Sequence, residues 1–326
     1  MKRFGLIGNP VAGSLSPRLF EAAYAGRYPY DLIEGASFDA SWQRFLDDYD
    51  GINITAPFKQ DAFRAVDRLS ENARLCGAVN LAVKTADGIV GYNTDVDGVV
   101  LAVREACGRA TPCSPGVARH GAGSSGIPGL TRNPSEAAGE PTLREALVVG
   151  CGGAGRAAAV AALRLGCRVT LVNRTPARAA SLAASLGCAW LPLEALAATP
   201  PANDSSPAGI PLPANDSSPA GTPLPSNDPF PAGTPLPVGT ADHSLPPTGV
   251  GVSPDLIIYT VPGPMEGLPD FPEAVILEAN YKTPCLDGHG RVYISGRRWL
   301  LYQAVAGYEI FTGERPDADA MFGIFC

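Results

Sequence analysis

The sequence lacks three features, and each absence argues against a class of protein. No uninterrupted apolar run approaches the roughly 20 residues that span a bilayer, so a membrane protein is not expected. The net charge of -7 argues against nonspecific nucleic-acid binding, which needs many Lys and Arg contacts to phosphates. The eight cysteines form no C-x-x-C pair, so we predict neither a metal site nor a disulfide framework, and we expect a reducing cytoplasm.

The chain is long enough for two domains with substantial cores. It has 326 residues, of which 45% are hydrophobic. The charged amino terminus resembles the start of a signal peptide, but Asn9-Pro10 ends the apolar part too early, so residues 4–8 are predicted to form a strand.

Short apolar runs alternate with amphipathic stretches, which predicts an α/β layer. The Asp87-Gly88 pair, flanked by apolar runs, predicts a hairpin. The last thirty residues have helical periodicity at Trp299, Leu300, Gln303, Ala304 and Phe311. Predicted strands are 4–8, 30–34, 51–55, 81–84, 89–92, 146–149, 169–172, 255–260 and 274–278, and predicted helices are 18–25, 41–48, 62–68, 95–105 and 156–165.

Two segments interrupt the alternation. Residues 108–142 are crowded with Gly, Pro, Ser and Thr, which predicts a mobile insertion. Residues 199–254 contain a twelve-residue repeat, PANDSSPAGIPL from Pro201, PANDSSPAGTPL from Pro213 and PSNDPFPAGTPL from Pro225. Each repeat has too little apolar surface to build a solenoid, so we predict a disordered or polyproline-like loop.

The segment from 146 to 178 predicts a nucleotide site. A buried strand is followed by Gly150, Gly152, Gly153, Ala154 and Gly155 in a G-x-G-x-x-G turn, and a helical stretch comes next. Such glycines let the backbone approach a pyrophosphate at a helix amino terminus.

The residues after the next strand predict which dinucleotide binds. Asn173, Arg174 and Thr175 stand where NAD-binding folds usually have an acid, and Arg178 follows one helical turn later. Arginine can pair with a 2′-phosphate that a carboxylate would repel, which favours NADP. The alternative is a helix amino terminus beside surface arginines.

Several separated motifs resemble those of the shikimate dehydrogenase family, in the same order. They are NP at 9–10, SLSP at 14–17, NITAPFK at 53–59, GAVN at 77–80, GYNTD at 91–95, the glycine turn, NRT at 173–175, and Gly296 with Leu300, Leu301 and Gln303. Two stretches depart from the family pattern. Residues 259–263 are YTVPG, and residues 278–284, EANYKTP, are shorter than usual and begin with Glu in place of Asp.

This resemblance implies a two-domain α/β fold with an active site in the cleft between the domains. Residues 1–98 and 297–326 would form an N-terminal substrate domain closed by C-terminal helices. Residues 99–296 would form a Rossmann-like, NADP-binding domain with a parallel sheet. The implied reaction is reversible, NADPH-dependent reduction of 3-dehydroshikimate to shikimate in aromatic amino-acid biosynthesis, by a monomer or a homodimer.

The reaction needs a proton donor near the developing alkoxide, and Lys59, oriented by Asp95, is the candidate. By the resemblance, Ser14 and Ser16 would bind the carboxylate, and Thr55, Asn80 and Gln303 the ring hydroxyls. Tyr281 is a candidate cleft residue, and Gly296 joins the glycine-turn residues as a candidate cofactor contact.

Each of these residues also has a structural explanation. Lys59 could be a solvated surface lysine, Asp95 a helix N-cap, the serines helix initiators, and Asn80 a turn residue. Two other functions also stay open, a quinate/shikimate dehydrogenase and a noncatalytic sensor of NADP or shikimate. Dual quinate/shikimate enzymes that prefer NAD usually carry an acidic residue where this chain has Asn173-Arg174, which argues against the first of these alternatives.

Overall fold

The structure is a computed structural model that describes residues 1–108, 130–132, 143–197 and 253–325. The repeat at 201–236 and most of the segment 108–142 lie outside the described residues. Residues 1–108 form β1 (Phe4–Gly8), α1 (Ser16–Tyr24), β2 (Tyr30–Glu34), α2 (Phe38–Asp48), β3 (Gly51–Ile54), α3 (Lys59–Ala65), β4 (Arg68–Leu69), α4 (Glu71–Cys76), β5 (Leu81–Thr85), β6 (Gly88–Tyr92) and α5 (Asp95–Ala106). The remaining elements are β7 (Leu130–Arg132), β8 (Glu145–Val149), α6 (Gly153–Arg164), β9 (Arg168–Val172), α7 (Pro176–Leu186), β10 (Ala189–Leu191), α8 (Leu193–Ala197), β11 (Leu256–Tyr259), β12 (Val275–Glu278), β13 (Val292–Ser295), α9 (Gly296–Thr312) and α10 (Ala318–Gly323).

The first sheet is mixed and has the order β2-β1-β3-β5-β6-β4. Strand β1 pairs in parallel with β2 and β3, while β5 and β6 form the predicted antiparallel hairpin. All residues of β1 and β3 are buried, as expected for strands that have both faces covered.

The second sheet has the order β10-β9-β8-β11-β12-β13-β7. Its first six strands are parallel, and their order along the chain reverses at β8, between β9 and β11. In doubly wound α/β folds, ligands bind outside the carboxyl ends of strands at such a reversal. The sheet therefore confirms the predicted α/β fold, and the glycine turn follows the strand where the order reverses.

One part of the predicted insertion forms a strand. Residues Leu130–Arg132 form β7, which pairs antiparallel with β13 at the edge of the second sheet. No strand was predicted here from the sequence, because the free edge of β13 supplies backbone partners that composition does not reveal.

Helix α9 returns the chain to the first sheet. Its Tyr308 and Phe311 pack with Phe4 and Phe20 in a buried aromatic group. The hydroxyl of Tyr24 donates to the carbonyl oxygen of Tyr308 at 2.8 Å. Burying each phenylalanine contributes about 1.5–3 kcal/mol to stability, so this end of α9 is firmly held. Among the described residues, no helix is both long enough and apolar enough to cross a membrane.

Candidate active site

A cavity of about 390 Å³ lies between the first sheet, the glycine turn and the start of α9. Its wall includes ten of the predicted site residues, Ser14, Ser16, Thr55, Lys59, Asn80, Asp95, Ala154, Tyr281, Gly296 and Gln303. The wall also includes residues that the sequence analysis did not propose as site residues, among them Asn53, Lys282 and Trp299.

Lys59 and Asp95 form an ion pair in the wall of this cavity. Lys59 begins α3 and Asp95 begins α5, and the Nζ–Oδ2 distance is 2.5 Å. Their side chains are 18% and 12% exposed, so the interpretation of Lys59 as a solvated surface lysine is wrong. The N-cap of α5 is Thr94, so the interpretation of Asp95 as the N-cap is also wrong. A largely buried ammonium held by a carboxylate can donate a proton toward the cavity.

Asn80 is held in a polar network with Thr94 and Gln303. The Asn80 Oδ1 atom accepts from the Thr94 amide at 2.8 Å, and its Nδ2 donates to the Thr94 hydroxyl at 3.1 Å. The same Nδ2 lies 3.4 Å from Gln303 Oε1. Sequence reasoning missed Thr94 as a positioning residue, although it lies inside the GYNTD motif.

Ser14 and Ser16 lie in a segment that we call the serine loop, residues 10–16. Their hydroxyl oxygens are 3.1 Å apart. Glu34 supports this loop from β2, because its Oε2 accepts from the amides of Val11 at 3.0 Å and Ala12 at 3.3 Å. The N-cap of α1 is Leu15, which makes no capping bond with its side chain. The Ser14 hydroxyl oxygen accepts from the amide of Ser16, the first residue of α1, at 3.2 Å, so Ser14 also has a structural role at the start of this helix.

A short loop, residues 278–286, closes another side of the cavity. We call it the Tyr281 loop. The buried Glu278 carboxylate accepts from the amides of Cys285 at 2.8 Å and Leu286 at 3.0 Å. Burial raises the pKa of Tyr281 above its ordinary value, so its hydroxyl stays a neutral donor at physiological pH.

Three glycines of the glycine turn differ in what surrounds the position that a Cβ atom would occupy. Gly150 has φ +101°, and a Cβ there would lie 2.5 Å from Thr260 Oγ1. A Cβ on Gly155 would clash with the carbonyl of Gly150, whereas a Cβ on Gly152 would meet no atom within 4 Å. The open space at Gly152 beside the start of α6 fits a phosphate group. Thr260 supports the turn by donating to the Val149 carbonyl at 2.8 Å.

The glycine turn also approaches the ion pair. A Cβ on Gly153 would lie 3.5 Å from Cδ of Lys59, which is van der Waals distance. A dinucleotide on this turn and a substrate in the cavity would therefore meet near Lys59. Burial raises the pKa of the Cys151 thiol to about 11, consistent with a packing role inside the turn.

Asn173 links the glycine turn to the loop after β9. Its Oδ1 accepts from the Cys151 amide at 3.3 Å, and its Nδ2 donates to the Thr175 carbonyl at 3.1 Å. Arg174, Thr175 and Arg178 are exposed and lie outside the cavity wall, as do the four glycines of the turn. This arrangement suits a long ligand, because two cationic side chains stand beyond the phosphate cradle and no acid lies in residues 173–178.

Comparison with known proteins identifies the family. Residues 6–82 match the model described as the shikimate dehydrogenase substrate binding domain. A curated shikimate dehydrogenase (NADP(+)) from Haloarcula marismortui is 30% identical over 335 residues, covering 99% of this chain and 98% of the relative. The chain belongs to the shikimate dehydrogenase family. Residues 145–207 also match a model described as an FAD binding domain, and they include a glycine turn of the kind that FAD- and NAD-binding folds share.

Other shikimate dehydrogenases match a smaller region. The relative from Rubrobacter xylanophilus is 38% identical over 192 residues, which is 56% of each chain. The relative from Acidiphilium cryptum is 35% identical over 201 residues, which is 60% of this chain and 61% of the relative. The match thus spans less than two thirds of the length of these relatives.

Solved structures in this family share the fold. The shikimate 5-dehydrogenase of Thermus thermophilus, in complex with NADP(H) and shikimate, has a TM-score of 0.64 at 23% identity and covers 100% of this chain and 98% of its own. A quinate dehydrogenase of Corynebacterium glutamicum, in complex with NAD, also has a TM-score of 0.64, at 20% identity, covering 99% of this chain and 98% of its own. The fold therefore does not distinguish the two activities.

Proposed function

We propose that this protein is an NADP-dependent shikimate dehydrogenase. It would reversibly reduce 3-dehydroshikimate to shikimate on the route to chorismate and the aromatic amino acids. The observation that carries the proposal is the Lys59–Asp95 ion pair, which lies in the cavity wall beside the glycine turn.

Lys59 is the proposed proton donor. Bound NADPH would supply a hydride to the ketone carbon, and negative charge would develop on the ketone oxygen. The Lys59 ammonium would give its proton to that oxygen, and the neutral amine would take the proton back in the reverse reaction. Asp95, 2.5 Å from Nζ, would orient the ammonium.

The substrate ring would be held by the neutral polar groups of the cavity. We assign the carboxylate to Ser14 and Ser16, and the ring hydroxyls to Thr55, Asn80 and Gln303. The network around Asn80 supports this assignment, since it prepares amide and hydroxyl groups in fixed orientations before a ligand arrives. Tyr281 would add a neutral phenol.

NADP would lie along the second sheet. We assign the pyrophosphate to the turn formed by Gly150, Gly152, Gly153, Ala154 and Gly155. Asn173, Arg174, Thr175 and Arg178 would surround the adenosine ribose and its 2′-phosphate, for which an exposed guanidinium is a suitable partner. Gly296 lines the cavity, but a Cβ there would lie 2.4 Å from the Ala279 carbonyl oxygen, so close packing is a second reason for glycine at this position.

The domain assignment is also a proposal. Residues 1–98 with 297–326 would form the substrate-binding unit, and residues 99–296 the nucleotide-binding unit. The division is supported by the two sheets, which draw their strands from residues 4–92 and 130–295. A cytoplasmic location and a monomeric or homodimeric state remain predictions.

The test is reduction of NADP or NAD, followed by absorbance, with shikimate or quinate as substrate. We expect turnover with shikimate and NADP, and a fall in kcat of roughly 100-fold or more in Lys59→Ala. Lys2→Ala, which removes an exposed lysine near the amino terminus, is the matched control and should keep wild-type activity.

The remaining outcomes separate the alternatives. Comparable turnover of quinate would indicate a dual enzyme. Binding of shikimate or NADP by folded protein without turnover would indicate a sensor. Near-wild-type activity of Lys59→Ala would contradict the proposed mechanism with any substrate.

A further inference from the structure

The cavity wall has one cation more than it has anions. Its Asp, Glu, Lys and Arg residues in the described chain are Lys59, Asp95 and Lys282. Lys59 and Asp95 pair with each other, which leaves Lys282. No ion pair within the described residues includes Lys282, and its side chain is exposed. The wall is therefore complementary to a ligand with one negative charge.

Lys282 reaches across the cavity to the serine loop. Its Nζ lies 3.2 Å from the point where a Cβ on Gly13 would be, so the ammonium rests against the backbone next to Ser14. The absence of a side chain at Gly13 leaves room for this approach. The acid that supports the same loop, Glu34, already accepts from the amides of Val11 and Ala12.

The backbone that carries Lys282 is held in a defined turn. The Asn280 Nδ2 donates to the Thr283 carbonyl at 2.8 Å and lies 3.0 Å from the Thr283 hydroxyl. The Asn280 Oδ1 accepts from the amides of Lys282 and Thr283, both at 3.3 Å. An Asn side chain that bonds its own following backbone in this way fixes a turn. Glu278 then anchors the end of the Tyr281 loop at Cys285 and Leu286.

We propose that Lys282 is a substrate-binding residue that pairs with the carboxylate of the substrate, together with Ser14 and Ser16. The inference rests on the proposed function and adds a charge to a site that otherwise recognises the carboxylate through neutral hydroxyls. An ammonium offers three donors and a full positive charge, whereas each serine offers one neutral donor. Lys282 therefore makes the site selective for an anionic ring acid over a neutral analogue of the same shape.

The test compares charged and neutral substrates in Lys282→Met and Lys282→Arg. We expect Lys282→Met to raise KM for shikimate roughly tenfold, the lower end for a charged hydrogen bond at an exposed site. KM for NADP and for shikimate methyl ester should change little, because neither presents the ring carboxylate. Lys282→Arg keeps the charge and should restore part of the affinity. Lys2→Met, which removes an exposed lysine near the amino terminus, is the matched control.

Two results would overturn the inference. An unchanged KM for shikimate in Lys282→Met would show that the ammonium does not contact the carboxylate. An equal rise in KM for shikimate and for its methyl ester would show that Lys282 shapes the loop but does not recognise the charge of the carboxylate. Because Lys282 is exposed, its substitution is not expected to unfold the protein.

Calorimetric binding of shikimate separates this inference from the proposed reaction. If wild-type protein does not oxidise shikimate but binds it, and Lys282→Met weakens that binding, the inference holds and the proposed function fails. If wild-type protein oxidises shikimate and Lys282→Met binds shikimate as tightly as wild-type protein does, the proposed function holds and the inference fails. Absence of binding to the wild-type protein overturns both.

Discussion

Gly150 and Gly152 lie two residues apart in the same turn, yet a methyl group would meet different surroundings at each. Gly150 has φ +101° and Thr260 Oγ1 at 2.5 Å from the Cβ position. Gly152 has φ -77° and no atom within 4 Å of that position. The first glycine is required by the folded chain. The second is exposed and leaves open space at the start of α6, where we propose that the pyrophosphate binds.

We therefore expect the two alanine variants to separate stability from cofactor binding. Gly150→Ala should lower the free energy of unfolding by about 1–3 kcal/mol, because of backbone strain and the contact with Thr260. Gly152→Ala should cost less than about 1 kcal/mol but raise KM for NADP, because its methyl group would occupy the proposed phosphate space. Urea unfolding and steady-state kinetics measure the two effects. An unchanged KM for NADP in Gly152→Ala would place the pyrophosphate elsewhere.

At the scale of elements, the crossing of α5 and α9 determines how two parts of the site meet. Trp299 of α9 donates from Nε1 to the Asp95 carbonyl at 2.9 Å. A Cβ on Gly98 would lie 2.7 Å from Trp299 Cδ1 and 2.8 Å from Gln303 Cβ. The helices thus approach closely at Gly98, and this approach brings Gln303 toward Asn80 and Asp95.

Gly98→Ala should disturb both stability and substrate binding. Overpacking costs about 1–3 kcal/mol, and the gain in helix propensity of about 1 kcal/mol offsets only part of it. Displacement of Gln303 should also raise KM for shikimate. The control is Gly323→Ala in α10, where a Cβ meets nothing within 4 Å and stability should not fall. Thermal unfolding and the KM for shikimate, measured for both variants, test this prediction. Equal stability and equal KM in Gly98→Ala and Gly323→Ala would contradict it.

The elements that could be predicted from sequence are those with strong local patterns. The strand Tyr30–Glu34 has the predicted bounds, and helix α5 differs from its prediction by one residue. Helix α3 was predicted at 62–68 but begins at Lys59 and ends at Ala65. The strands β4, β7, β10 and β13 were not predicted. Strands β4, β7 and β10 have only two or three residues, so pairing with neighbouring strands defines them more than their own composition does.

At the scale of the whole molecule, buried tyrosines join α1 to α9 and the segment that follows it. The Tyr24 hydroxyl donates to the carbonyl oxygen of Tyr308 at 2.8 Å and lies 3.0 Å from the carbonyl oxygen of Glu314. Burial raises the pKa of Tyr24 to about 12, and burial also raises the pKa of Tyr308 far above its ordinary value. Ionisation of either phenol would place a charge in the buried contact between α1 and α9.

These shifts predict a loss of stability at alkaline pH. A tyrosine whose pKa is higher in the folded state than in the unfolded state stabilises the fold below about pH 10, its unfolded value. That contribution is lost as the pH rises through the folded pKa, which is about 12 for Tyr24. Urea unfolding between these values should show a falling free energy of unfolding, with a shallower slope for Tyr24→Phe. Parallel slopes for the two proteins would contradict this assignment.

By itself, the sequence determined the candidate chemistry. The glycine turn and the arginines after β9 are local patterns, because backbone geometry and charge type require those residues within a few positions of each other. The motifs containing Lys59 and Asp95 were identified by their resemblance to the family. The tertiary structure decided which of these groups meet. Lys59 and Asp95 are 36 residues apart and pair at 2.5 Å. Lys282 reaches Gly13 only because the Tyr281 loop folds over the serine loop. Such contacts depend on how strands and helices pack, and no local pattern in the sequence specifies that packing.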